Sequence, residues 1–178
     1  TNAMNELLVQ IRENRGKAVI VDTTGAFVER FYNPRTDTLL NPLDERSKLW
    51  NLWLECENDY LFDNFAECVI PQVGNDPFWA TAARTVLTTA AQACQRQKNY
   101  DIQELLRLTI HGSLKEVFPH FKNTVAASMM DPEAEKTALS IRATLSSSIK
   151  SFAYLINQTK TNSKDKIDIR NADTDDCE

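Results

Sequence analysis

The clearest periodicity in the chain lies between Ala138 and Ile156. Apolar residues recur there three or four positions apart, at Ala138, Ile141, Leu145, Ile149, Phe152 and Ile156. That spacing keeps them on one face of an α-helix. Asp131 followed by Pro132 is a helix-start signal, so this element is expected to be the last and longest helix. A second stripe, Phe78, Ala82, Val86, Ala90 and Ala93, predicts a long helix running to about Gln97. Asp76 is its expected N-cap and Pro77 its first helical position. Shorter helical patterns cover Trp50 to Glu55, and Phe62 to Val69 before Pro71. Asp101 caps a further pattern that ends at Gly112, Ser113 starts one that Pro119 is expected to end, and Thr124 to Met130 predicts a short turn.

The N-terminal part reads differently. Glu6 to Arg15 predicts a helix stopped by Gly16. Lys17-Ala-Val-Ile-Val-Asp22 is a continuous apolar run ending in an acid, the pattern of a strand buried on both faces. Thr23 to Gly25 predicts a turn, Ala26 to Tyr32 a short element, and Thr38-Leu39-Leu40 a second short strand before Asn41-Pro42. From Asn157 the composition turns polar, and Asn171 to Glu178 is expected to be disordered, with Ile167 and Ile169 as candidate edge-strand positions. The expected fold class is therefore mainly α: an all-α helical domain with a small partial α/β segment at the termini.

Composition narrows the function classes. At 178 residues and 42% hydrophobic content the chain is long enough for one well-buried domain. Four glycines argue against an all-β protein. A net charge of −5 speaks against tight, autonomous binding to nucleic acid, since phosphate neutralisation supplies most non-specific affinity. A local basic face remains compatible with it. Cys56, Cys68, Cys94 and Cys177 form no Cys-x-x-Cys pair, and His111 and His120 are not at ligand spacing from them. Neither a zinc site nor a disulfide framework is expected; reduced thiols fit a cytosolic compartment. No apolar run of 18 residues occurs.

Candidate chemistry is sparse. Val19-Ile-Val-Asp22 could be an acidic strand for magnesium, but a nucleotide site also needs a phosphate loop, and no Gly-x-x-x-x-Gly-Lys-Ser/Thr occurs in the sequence. Gly16-Lys17 ends a helix where such a loop would open one. No catalytic, cofactor-binding or metal-ligating residue is assigned, and no enzymatic activity is expected of this chain. Trp50, Trp53 and Trp79 could stack on bases; core packing is the favoured reading. The last helix carries Lys136, Arg142 and Lys150, with Lys160 beyond, and Arg107, Lys115 and Lys122 lie upstream. Together with Arg84, the candidate DNA-binding set is Arg84, Lys136, Arg142 and Lys150. Glu133 and Glu135 dilute it, and a merely solvated helix face is the alternative.

One combination of segments is more specific than any single one. Leu39-Leu-Asn-Pro-Leu-Asp-Glu-Arg-Ser47 is followed by Trp50-Asn-Leu-Trp53, Ile70-Pro71, Asp76-Pro-Phe-Trp79 with Ala83-Arg84, and Lys136-Thr-Ala-Leu-Ser-Ile-Arg-Ala143. In this order they resemble the TraD/TraG-type conjugative coupling proteins over Arg15 to about Arg170. The resemblance implies a domain plan: residues 1–3 as a tag remnant, 4–45 as a motor-domain segment without its phosphate loop, 46–160 as the all-α domain, and 161–178 as the return to the motor with a disordered tail. It implies a parent ATPase using ATP and Mg²⁺, a homohexamer anchored in the bacterial inner membrane and facing the cytoplasm. The expected partners are relaxosome proteins (a relaxase or accessory protein) and single-stranded DNA. The favoured role is substrate recognition during plasmid DNA transfer through a type IV secretion channel. The alternatives are a domain contacting DNA directly at the ring channel, or an unrelated helical interaction module.

Overall fold

The computed structural model describes residues 2–72, 74, 76–156 and the backbone of 166–167. The expectations for Lys160, Ile169, Asn171 to Glu178 and Cys177 lie outside the described residues. The fold is mainly α and divides into two compact units, Thr1–Leu39 and Leu40–Glu178.

The first unit holds α1 (Asn2–Glu13) and α2 (Ala26–Phe31). Between them the expected strand does not form: residues 17–22 have no regular structure, Val19 is 99% and Val21 84% exposed. A parallel strand needs a partner strand from elsewhere in the chain, and among the described residues the strand pairing is that of Leu49–Trp50 with Lys166–Ile167. Thr38-Leu39-Leu40 is likewise irregular rather than a strand. The local order comes from Asp22. Its Oδ1 accepts from the backbone N–H of Thr24 and Gly25 at 3.2 and 2.9 Å, its Oδ2 from those of Phe27 and Val28 at 2.8 and 3.0 Å. The orphan amides at the start of α2 are thereby satisfied, although Asp22 precedes the helix by several residues. The amides, that of Val28 most of all, hold the Asp22 carboxyl below its ordinary range. Gly25 turns the chain at φ 80°, a left-handed conformation that glycine adopts without penalty. Arg12 closes the unit by donating to the Phe31 carbonyl at 2.8 Å and pairing with Asp37 at 2.7 Å.

The second unit is built around one helix. It contains β1 (Leu49–Trp50), α3 (Leu52–Glu55), α4 (Asp59–Val69), α5 (Phe78–Arg96), α6 (Ile102–Leu106), α7 (Leu114–Phe121), α8 (Glu135–Ile149) and β2 (Lys166–Ile167). Of the 19 residues of α5, 11 are buried, many of them alanine. A helix covered on nearly all sides must be apolar nearly all round, and small side chains let α4 and α8 approach closely. α5, not the last helix, is the longest: the start at Asp131-Pro132 is a 3₁₀ turn, α8 follows with 15 residues, and Lys150–Leu155 is again 3₁₀. The predicted stripe on α8 holds, with Ala138, Ile141, Leu145, Ile149 and Phe152 all buried.

Capping follows the sequence closely. The Asp101 side chain accepts from the Gln103 amide, and Ser113 and Glu116 form a reciprocal capping box. α7 does not end at Pro119 but runs through it to Phe121. Leu114, Val117 and Phe121 bury one face, and the proline sits on the exposed face, where water can solvate the carbonyl left without an amide partner. α6 continues into a π-helical turn, Arg107–His111, ended by Gly112. A Cβ at Gly112 would lie 2.6 Å from Val117 Cγ1 and 2.9 Å from the Arg107 carbonyl oxygen, so close packing, not backbone conformation, requires glycine there.

Trp50 lies in β1 rather than in a helix, and its ring meets Phe65 and Phe152 at centroid distances of 5.9 and 6.4 Å. β1 pairs in parallel with β2, Leu49 opposite Lys166 and Trp50 opposite Ile167.

Cys94 is fully buried in α5, and burial, with Glu104 and Asp101 adding, pushes its thiol up to about 12 from 9.0. The folded state thus holds the proton where the unfolded chain would release it. This contribution to stability is constant below pH 9.0 and is lost as pH rises toward about 12. Iodoacetamide at neutral pH is expected to modify exposed Cys68 and spare Cys94, read by peptide mass mapping. The urea midpoint of the native chain should fall more steeply with alkaline pH than that of Cys94→Ala.

Candidate nucleic-acid interface

The four candidate DNA contacts do not form one surface. Lys136 and Lys150 are exposed on α8 and at its end. Fourteen residues separate them, about 21 Å along the axis and about 40° around it. They stand opposite the buried stripe, and the exposed face between them carries Leu139, Ser140, Ala143 and Ser147, with no charge. Glu133 and Glu135 are exposed near Lys136.

Arg142 is elsewhere. It is only 8% exposed, because it sits four residues after Ala138 and three before Leu145, inside the apolar stripe. One terminal nitrogen donates to the Gly112 carbonyl at 2.7 Å. Its Nε and Nη2 are buried without a hydrogen-bond partner, and burial lowers its pKa. The guanidinium therefore ties α8 to the turn after the π-helical segment and presents no charge to a ligand. Arg84 is partly buried; its Nε donates to the Ile70 carbonyl at the end of α4 at 2.9 Å, and Nη1 lies 3.8 Å from Glu67. Of the upstream cations, Arg107 is held by Glu104 through two bonds of 2.7 Å, while Lys115 and Lys122 are exposed.

The tryptophans divide too. Trp53 is core, its indole N–H donating to the Ala91 carbonyl at 3.0 Å. Trp79 is not core: it is 38% exposed beside Phe78, 48% exposed, at the start of α5. The rings meet edge to face at 4.9 Å. Trp79 lies in the first turn of α5, and its aromatic character gave no guide to its burial.

Charge is unevenly distributed. From Leu49 to Ala83 the sequence has six carboxylates and no Lys, Arg or His; from Arg84 to Lys150 it has nine Lys and Arg against six Asp and Glu. Asp59, Asp63 and Glu67 are exposed along one line of α4. Among the described residues, no group of three His, Cys, Asp or Glu could hold a metal ion, and no helix is long and apolar enough to cross a membrane.

Residues 1–170 match the family described as the type IV secretion-system coupling protein DNA-binding domain. The chain belongs to that family. The resemblance read from Leu39 to Ala143 is thereby borne out. Coupling protein TraD of Escherichia coli (strain K12) is 36% identical over 145 residues, which cover 81% of this chain and 20% of TraD. Among solved structures, the bacterial conjugative coupling protein TrwBdeltaN70 in its unbound monoclinic form matches with a TM-score of 0.76 at 27% identity, over 85% of this chain and 37% of that one. TrwB in complex with ADP and Mg²⁺ matches with a TM-score of 0.74, also at 27% identity, over 85% of this chain and 37% of that one. The chain thus spans about a fifth of the curated coupling protein and just over a third of the TrwB structures. Both carboxylate oxygens of Asp22, the acid that ends the run considered for magnesium, accept from backbone amides.

Proposed function

We propose that this chain is the substrate-facing helical part of a conjugative coupling protein, and that it contacts the transferred DNA strand through its basic side. On this reading residues 4–45 are a motor segment, 46–160 the all-α domain and 161–178 the return to the motor. The parent is a DNA-translocating ATPase that uses ATP and Mg²⁺, assembles as a homohexamer and is anchored in the inner membrane, with this part facing the cytoplasm. The observation that carries the reading is the family match across residues 1–170. The exposed pair Lys136 and Lys150, with only uncharged exposed residues between them on that face, supports it. A ring of copies would multiply such weak faces by avidity.

A second reading assigns the domain to relaxosome protein recognition. It is favoured by the basic-free stretch from Leu49 to Ala83, whose exposed Asp59, Asp63 and Glu67 repel phosphate and suit a basic protein surface.

The deciding experiment is fluorescence anisotropy of labelled single-stranded DNA titrated with the chain at low and at physiological salt. Binding that weakens steeply with salt is the expected result, since each neutralised phosphate releases counterions. No binding at low salt would refute direct DNA contact by this chain and favour the protein-docking reading.

A further inference from the structure

We propose that the principal DNA-backbone contact is a shallow cleft where α5 and α7 end side by side, with Arg96, Lys98, His120 and Lys122 as its phosphate-binding groups. This rests on the DNA-contact reading above and moves the contact from the α8 face.

The cleft has a volume of about 370 Å³ and is lined by Ala93, Arg96, Gln97, Pro119 and His120. Arg96 is exposed in the last turn of α5, and Lys98 follows in a left-handed conformation, φ 54°. Helices commonly close with such a residue, but it is usually glycine. Here the closing bonds, Lys98 N–H to Gln95 and Asn99 N–H to Cys94, both 2.9 Å, are made with a lysine in that position. α7 ends differently: its C-cap Lys122 has left the helical region at ψ 131°, and Asn123 after it has φ 71°. The two helix ends that line the concavity are thus followed by Lys98 and closed by Lys122, each at or next to a left-handed residue.

The acids around this cleft are already engaged. Glu104 is held by Arg107 at 2.7 Å through both oxygens. Asp101 caps α6, and Glu116 belongs to the capping box of α7. Arg96, Lys98 and Lys122 form no ion pair among the described residues. The side-chain amide of Gln97 lies 3.0 Å from Nδ1 of His120. With the amide donating, the ring proton sits on Nε2, a donor for a phosphate oxygen. Tyr100, 46% exposed, lies two residues beyond Lys98, within about 7 Å of chain, and its ring packs on Trp53 at 5.9 Å. Cations at a helix end with an exposed ring two residues along the chain can hold a single strand, phosphates on the cations and a base on the ring. Cations at helix C-termini also favour the local dipole. That effect explains neither the concavity nor the exposed tyrosine.

The test is anisotropy with a labelled single-stranded oligonucleotide, on the native chain, on Arg96→Glu/Lys98→Glu/Lys122→Glu, and on Lys136→Glu/Lys150→Glu. Circular dichroism checks that each variant is folded. The cleft variant is expected to bind at least about tenfold more weakly, with a salt slope smaller by about 2, as loss of three phosphate contacts on a single strand predicts. Tyr100→Ala should weaken binding by about fivefold and leave the salt slope unchanged, because stacking releases no counterions. A cleft variant that binds like the native chain overturns this assignment. If the α8 variant alone loses binding, the DNA-contact reading survives at Lys136 and Lys150; if the native chain itself fails to bind at low salt, both fall.

Discussion

Trp53→Ala is expected to lower the unfolding free energy by about 3–5 kcal/mol, the largest effect of any single substitution considered for this chain. The indole is 7% exposed and sits where α3 meets α5. Truncation removes three things together: the apolar bulk, the hydrogen bond from Nε1 to the Ala91 carbonyl at 3.0 Å, and the ring contact with Tyr100 at 5.9 Å. α5 presents alanines at this contact, so the neighbouring backbone has few side-chain rotamers with which to fill the cavity. Trp53→Phe keeps most of the ring and loses the donor, and should cost about 1–2 kcal/mol. Urea unfolding followed by circular dichroism measures both. A loss below about 1 kcal/mol for the alanine variant would show that the indole is not part of the cooperative core.

The second large effect belongs to Arg142, and its direction depends on the replacement. Arg142→Ala removes the aliphatic stem from the apolar stripe and leaves the Gly112 carbonyl without its donor, so a loss of about 2–4 kcal/mol is expected. Arg142→Met loses the same bond to Gly112 but keeps the stem, and it removes a guanidinium that has two buried nitrogens without partners and, among the described residues, no carboxylate paired with it. A charge in that setting carries a desolvation penalty that an apolar side chain of similar length avoids. Arg142→Met should therefore lie within about 1 kcal/mol of the native chain. Equal losses in the two variants would mean that the charge itself, not the stem, anchors α8 to the turn at Gly112. Neither variant should change the salt slope of DNA binding, since the guanidinium is not at the surface.

Much of this fold was legible because its information is local. The stripes of α5 and α8, the Asp101 cap and the Ser113 start are readable from a few neighbouring residues. The errors came where the outcome depends on residues distant in sequence. Val19-Ile20-Val21 has strand composition, yet a strand exists only when another one pairs with it. Pro119 reads as a stop, but burial of Val117 and Phe121 on the other face outweighs one lost amide. The π-helical turn left no periodic signal at all. At the candidate interface, Arg142 could have been placed correctly from its position between Ala138 and Leu145; positive charge drew attention where spacing already indicated burial. Arg96 and Lys98 are the reverse case. They lie 26 and 24 residues before Lys122 in the sequence, and only the packing of α5 on α7 brings the two helix ends to one cleft.

The pairing of Leu49–Trp50 with Lys166–Ile167 also has a mechanical side. The two short strands run in the same direction, so the residues that lead into Leu49 and those that lead out of Ile167 depart from opposite ends of the pair. A pull between them slides one strand along the other and loads its hydrogen bonds together, whereas a hairpin pulled by its ends would open one bond at a time. Tension applied between Leu49 and Ile167 thus meets a shear joint before it reaches α3 to α8.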